Sequence, residues 1–113
     1  MTTLSRLARV DDILAVVCDE FGVTPEQLHS RRRAPRIVAA REMFVHIARR
    51  HTIMSYPEIA REVFGRPSHS SAIGAHRRVR LLIQADPATA ERVERLSMAL
   101  RDAARLDKQP ARM

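Results

Sequence analysis

The chain has one cysteine, no tryptophan and only three glycines in 113 residues. A single thiol cannot form an internal disulfide, so a disulfide framework is excluded. Cys18 lies in the apolar run ILAVVCDEF and reads as a small buried hydrophobe rather than a redox switch. No apolar run approaches the roughly 18 residues of a membrane span, and no signal-like start is present, so a cytosolic protein without a membrane partner is expected. Chemistry-bearing motifs are missing too. There is no GxxxxGK[ST] phosphate loop and no GxSxG elbow, and the five histidines (29, 46, 51, 69, 76) have neither HxxxH nor paired-thiol spacing. No catalytic residue, cofactor or metal is therefore expected. The chain also lacks internal repeats, low-complexity segments and a break in composition.

What is present is 45% hydrophobic, enough for one compact core, with residues that favour helices over turn-dense strands. The expected class is all-α: about six helices in one domain over 1–107, with a frayed tail at 108–113. Val10, Ile13, Leu14, Val17 and Phe21 recur at helical spacing, and Gly22 closes that helix. Thr24, Pro25 and Gln27 form a capping-box start for a short second helix. A central helix follows Pro35, apolar around most of its circumference (Ile37, Val38, Ala40, Met43, Phe44, Ile47). Ser55 and Glu58 make another capping box, with Pro57 in the first turn, and Gly65 ends helix four. Helix five has the stripe Ala72, Ala75, Val79, Leu82 and Ile83. Asp86 and Pro87 open a last helix striped by Val93, Leu96, Leu100 and Ala103. This last stripe is narrow and is read as closing the domain's own core, with pairing to a second copy as the alternative. His46 and His76 are read as partly packed, hydrogen-bonded side chains.

The formal charge of +7 comes mostly from arginine, whose planar guanidinium suits phosphate and guanine, which makes nucleic acid the partner to test. Arg31, Arg32 and Arg33 lie on a connector ended by Pro35, placed to follow a groove as the arms of some DNA-binding domains do. Helix four, the turn at Gly65 and helix five have the punctuation of a helix-turn-helix, whose second helix offers its N-terminal residues to the major groove. Ser68, His69, Ser70 and Ser71 would form that tip. They combine the positive end of a helix with short side chains able to reach base edges.

The stretch SYPEIAREVFGRPSHSSAIGAHRRV resembles the signature of the C-terminal DNA-binding domain of the bacterial replication initiator DnaA, in which a PEI…FG helix leads into RDHTTVxxAxRKI. Upstream, LHSRRRAPRIVAAREM resembles that family's LLSKRRSRSVARPRQM, and the likeness covers roughly residues 9 to 103. The resemblance implies a double-stranded DNA binder that regulates replication or transcription, with helix 69–84 in the major groove and the arm at 31–36 in the minor groove. It implies that Arg33 enters the minor groove, that His69 and Ser70 read bases, and that Ser71 lies near backbone and base. Arg49 would lie near phosphate, the turn at Ser55 and Pro57 would abut the backbone, and Arg31, Arg32, Arg36, Arg77 and Arg78 would add phosphate contacts.

Departures bear on specificity. The family's aspartate before the histidine is Ser68 here, its preceding arginine is Pro67, and its first threonine is Ser70. Serine discriminates less than a carboxylate, and the lost methyl removes a contact for thymine, so the family's usual nonamer box does not carry over automatically. The opening MTTLSRLARVDD reads as the start of a stand-alone relative, with an excised domain as the alternative. The competing functional reading is a non-enzymatic adaptor that engages the initiator, or an architectural module that binds DNA without sequence preference.

Overall fold

The computed structural model describes residues 9–108, and side chains as far as residue 103. Six helices make up the described residues: α1 (Val10–Phe21), α2 (Pro25–His29), α3 (Pro35–His51), α4 (Tyr56–Phe64), α5 (His69–Ala85) and α6 (Pro87–Lys108). The architecture is all-α, as composition and periodicity predict.

Local chemistry sets most of the boundaries. Gly22 at φ 66° takes the left-handed turn that ends α1, and the N–H of Val23 returns to the Cys18 carbonyl at 3.1 Å. Thr24 accepts from the N–H of Gln27 while the Gln27 side chain accepts from the N–H of Thr24, so both halves of the capping box form. Ser55 and Glu58 do the same for α4, and Gly65 at φ 76° ends it. Pro35 is the first residue of α3 rather than its preceding breaker, because an N1 proline loses no helical hydrogen bond. The Asp86 carboxylate accepts from the N–H of Ala88 at 3.2 Å and the Thr89 hydroxyl at 2.9 Å, and so opens α6 immediately after closing α5.

Helix α3 is the axle of the fold, packed by α1, α2, α4, α5 and α6. Ile37, Ala40, Met43, Phe44, Val45, Ile47 and Ala48 are all buried, which accounts for its nearly continuous apolar surface. Phe44 is fully buried; truncation to alanine there would cost about 3–5 kcal/mol. Helix α6 turns Val93, Leu96 and Leu100 into this same core and packs on α1 and α5, so its stripe is used within the chain. Glu20 of α1 accepts from Arg92 (2.9 Å) and Arg95 (2.6 Å) of α6. Burial alone would raise the Glu20 carboxyl, but the hydrogen bonds from Arg95 and Arg92 outweigh it and hold it below the usual range.

Several expectations need correction. Leu82 is 47% exposed, while Ala72, Ala75 and Val79 are buried and Ile83 partly so, because helical spacing assigns a face but does not supply a neighbour to cover it. His46 is buried, yet neither ring nitrogen has a hydrogen-bonding partner among the described residues. His76 behaves as expected, with Nδ1 bonded to the Tyr56 hydroxyl at 2.9 Å. Cys18 is buried in the core, and burial, then the charge of Glu26, pushes its thiol up, which suits an inert hydrophobe. The frayed tail expected from residue 108 falls largely outside the described residues; α6 itself continues through Lys108. No helix among the described residues is long and apolar enough to cross a membrane.

Candidate nucleic-acid interface

Helices α4 and α5 pack on one another, and buried Ile59, Ala60, Val63, Ala72, Ala75 and Val79 belong to the common core. The turn between them begins at Gly65 and tightens where the Ser68 N–H meets the Arg66 carbonyl at 2.8 Å. This places Ser68 as the N-cap of α5. Its side chain does not cap, however: the Ser68 hydroxyl donates to Ser71 Oγ at 2.7 Å instead of accepting from the first-turn N–H groups. The positive end of α5 is thus left without a side-chain cap, and an anion is its natural partner.

His69 and Ser70 are exposed on that first turn, and Ser68 and Ser71 are half-buried beside them. Behind the tip lies a packed support. The Tyr56 ring stands 5.8 Å from His69 and 6.0 Å from His76, and the Arg49 guanidinium covers it at 4.2 Å. Arg49 also donates to the Met54 carbonyl at 3.0 Å, which ties the end of α3 to the start of α4. Ser55 is exposed but accepts from Glu58, and Pro57 fills the first turn, so this corner has a fixed main chain. The reciprocal bonds with Ser55 hold the Glu58 carboxyl below the usual range.

The arm is built at the opposite end of α3. Arg31, Arg32, Arg33 and Arg36 are all exposed. The Ser30 hydroxyl donates to the Gln27 carbonyl (2.6 Å) and accepts from the Arg32 N–H (3.1 Å), which folds the connector back on α2. Arg77 is exposed on α5. Arg78 is exposed as well, but its Nε donates to Glu42 of α3 at 2.6 Å, so its charge is already answered by a carboxylate.

Contacts along α3 show how the two parts are spaced. Glu42 meets Arg78, His46 meets His76 at a ring separation of 5.1 Å, and Arg49 reaches Tyr56 beside His69. Helix α5 therefore runs antiparallel to α3, with its tip near the end of α3 opposite the arm. The 13 residues from Arg36 to Arg49 span about 20 Å of helix.

Sequence reasoning missed Arg41. It is buried at 7% exposure and donates from Nε to the Leu28 carbonyl (2.8 Å), from Nη1 to that of Arg32 (2.7 Å), and from Nη2 to those of Gln27 (3.4 Å) and Ser30. A signal was available: Ile37, Arg41, Phe44 and Ala48 follow core spacing, so this arginine sits where an apolar residue belongs.

A nine-residue helix joined by a glycine turn to a 17-residue one, with an uncapped, exposed N-terminus on the second and a basic arm at the opposite end of the central helix, defines a helix-turn-helix domain. Comparison with known proteins narrows the class. The family model described as bacterial dnaA protein helix-turn-helix matches residues 10–79. The chromosomal replication initiator protein DnaA of Xanthobacter autotrophicus is 40% identical over 86 residues, 76% of this chain and 17% of that protein. The proteins of the same name from Bradyrhizobium sp. and Rhizobium meliloti are 33% and 32% identical, over 83% and 86% of this chain and 20% of each relative. The chain belongs to the bacterial DnaA helix-turn-helix family, and it spans a fifth or less of the length of these relatives.

Proposed function

We propose that the chain binds duplex DNA at specific sites and regulates replication initiation or transcription. Helix α5 lies in the major groove with Ser68, His69, Ser70 and Ser71 at the base edges, and Arg33 enters the adjacent minor groove. The observation that carries this reading is the uncapped N-terminal turn of α5, with exposed His69 and Ser70 backed by the Arg49–Tyr56 stack. Spacing supports the two-groove division. Adjacent major and minor grooves on one face lie half a helical turn apart, about 17 Å, close to the ~20 Å that α3 places between arm and tip. Arg49, and the main chain at Ser55 and Pro57, flank the tip where a phosphate strand borders the major groove. Arg31, Arg32, Arg36 and Arg77 provide further phosphate contacts. Arg78 joins them only by sharing its guanidinium with Glu42.

The neutral pair Ser68–Ser71 replaces the acceptor that a carboxylate would give to a cytosine amino group, so the preferred site is expected to be relaxed at that base pair. Selection from random duplex DNA at near-physiological salt, then titration of the enriched site against scrambled duplex, tests the proposal. Enrichment of one motif with much tighter binding than scrambled DNA supports it. Binding that follows salt alone, with nothing enriched, refutes site-specific regulation and leaves an architectural role; no binding at all leaves the adaptor.

A further inference from the structure

Arg41 is the one buried arginine among the described residues, and four main-chain carbonyls are its hydrogen-bond partners there. A buried guanidinium is costly unless its N–H groups are used, and an apolar side chain at this core position would fill the same space more cheaply. What only arginine supplies is a rigid fork of five donors. Here the fork gathers the carbonyls of Gln27, Leu28, Ser30 and Arg32, all within the six residues that lead into Arg33. Two of them belong to the last turn of α2: the Gln27 carbonyl also accepts from the N–H and the hydroxyl of Ser30, whereas the Leu28 carbonyl accepts from the Arg41 Nε at 2.8 Å.

We propose that Arg41 is a positioning residue: it fixes the main-chain path of the arm through Arg32 and thereby presents Arg33 to the minor groove without an ordering cost at the moment of binding. This rests on the minor-groove reading of the arm given above. The Arg33 charge lies near enough that, after burial, it is the other influence that lowers Arg41 from the ordinary arginine range. The Ser30 hydroxyl adds two bonds to the same fold-back, so the path is fixed from both sides of the chain.

The test uses the full chain and a selected duplex. At base pairs under the arm, an inosine·C pair keeps the major-groove pattern of G·C and lacks only the amino group in the minor groove. The ratio of affinities for the two duplexes therefore reads the arm alone. We expect the wild type to prefer inosine·C by about tenfold and Arg33→Ala to lose that preference. Arg41→Lys and Arg41→Met should lose it as well, while still separating the selected major-groove sequence from a scrambled one. The pair Arg33→Ala with Arg41→Met should bind no worse than Arg33→Ala. The two Arg41 variants are assayed below their melting temperatures, so that either one carries the test if the other fails to fold. If a folded Arg41 variant keeps the wild-type ratio, or loses affinity equally for every duplex, the positioning role is refuted. If the wild type itself shows no preference, the minor-groove reading of the arm falls, and the inference with it.

Discussion

His46 makes this fold sensitive to acid in a way that can be isolated from its other titrating groups. Burial, followed by the charges of His76, Arg50, His51 and Arg80, pushes the His46 imidazole down to about 4 from its ordinary 6.5. Between those values the unfolded chain holds a proton on this ring that the folded chain does not, so stability falls as pH falls. Each pH unit across the window costs up to about 1.4 kcal/mol, and the full span costs about 3 kcal/mol, a large part of a small domain's 5–15 kcal/mol. The stabilisation is whole above about pH 6.5 and gone below about pH 4. The assay is urea unfolding, followed by circular dichroism, of the wild type and His46→Leu. Subtracting one pH profile from the other removes groups common to both, such as Glu20, whose contribution is lost at lower pH because its carboxyl is held below the usual range. From about pH 7.5 to 5 the wild type should lose about 2 kcal/mol more than the variant. At neutral pH His46→Leu should be no less stable than wild type, because it removes two buried ring nitrogens that have no partner. Parallel profiles would refute the assignment and show that the folded ring takes up its proton at an ordinary pH.

Three further outcomes concern the DNA interface. His69→Ala should weaken selected sites by roughly 1–3 kcal/mol in a binding titration and leave random duplex unaffected; equal losses on both would remove its base-reading role. Arg49→Ala should weaken every sequence and flatten the salt dependence by about one contact, and an unchanged slope would take Arg49 away from the phosphates. Glu42→Gln should release the Arg78 guanidinium, strengthening random-duplex binding and steepening the salt dependence by about one contact. No change in that slope would mean that Arg78 serves the α3–α5 packing alone.

What was legible in the sequence is what short-range chemistry decides. Both capping boxes, the left-handed glycines at 22 and 65 and the Asp86–Pro87 helix start act over four residues or fewer, and each formed as read. The serine and histidine tip was legible for the same reason, since a helix start fixes which residues lie in the first turn. Features that depend on distant elements were misread or not read at all. Ser97 follows Val93 and precedes Leu100 at core spacing, but its role is to bond His51 across 46 positions, at 3.0 Å, and neither residue announces the other. Leu82 shows the reverse error, an apolar residue on the right face with too little above it. Arg41 is the most consequential of these, because its acceptors lie 9 to 14 residues away and are carbonyls, which no side-chain pattern records. Three adjacent exposed arginines look alike in sequence. A fork fixed in the core from a different helix holds the main chain as far as Arg32, and this makes Arg33 the first arm residue whose own backbone is not held by that fork.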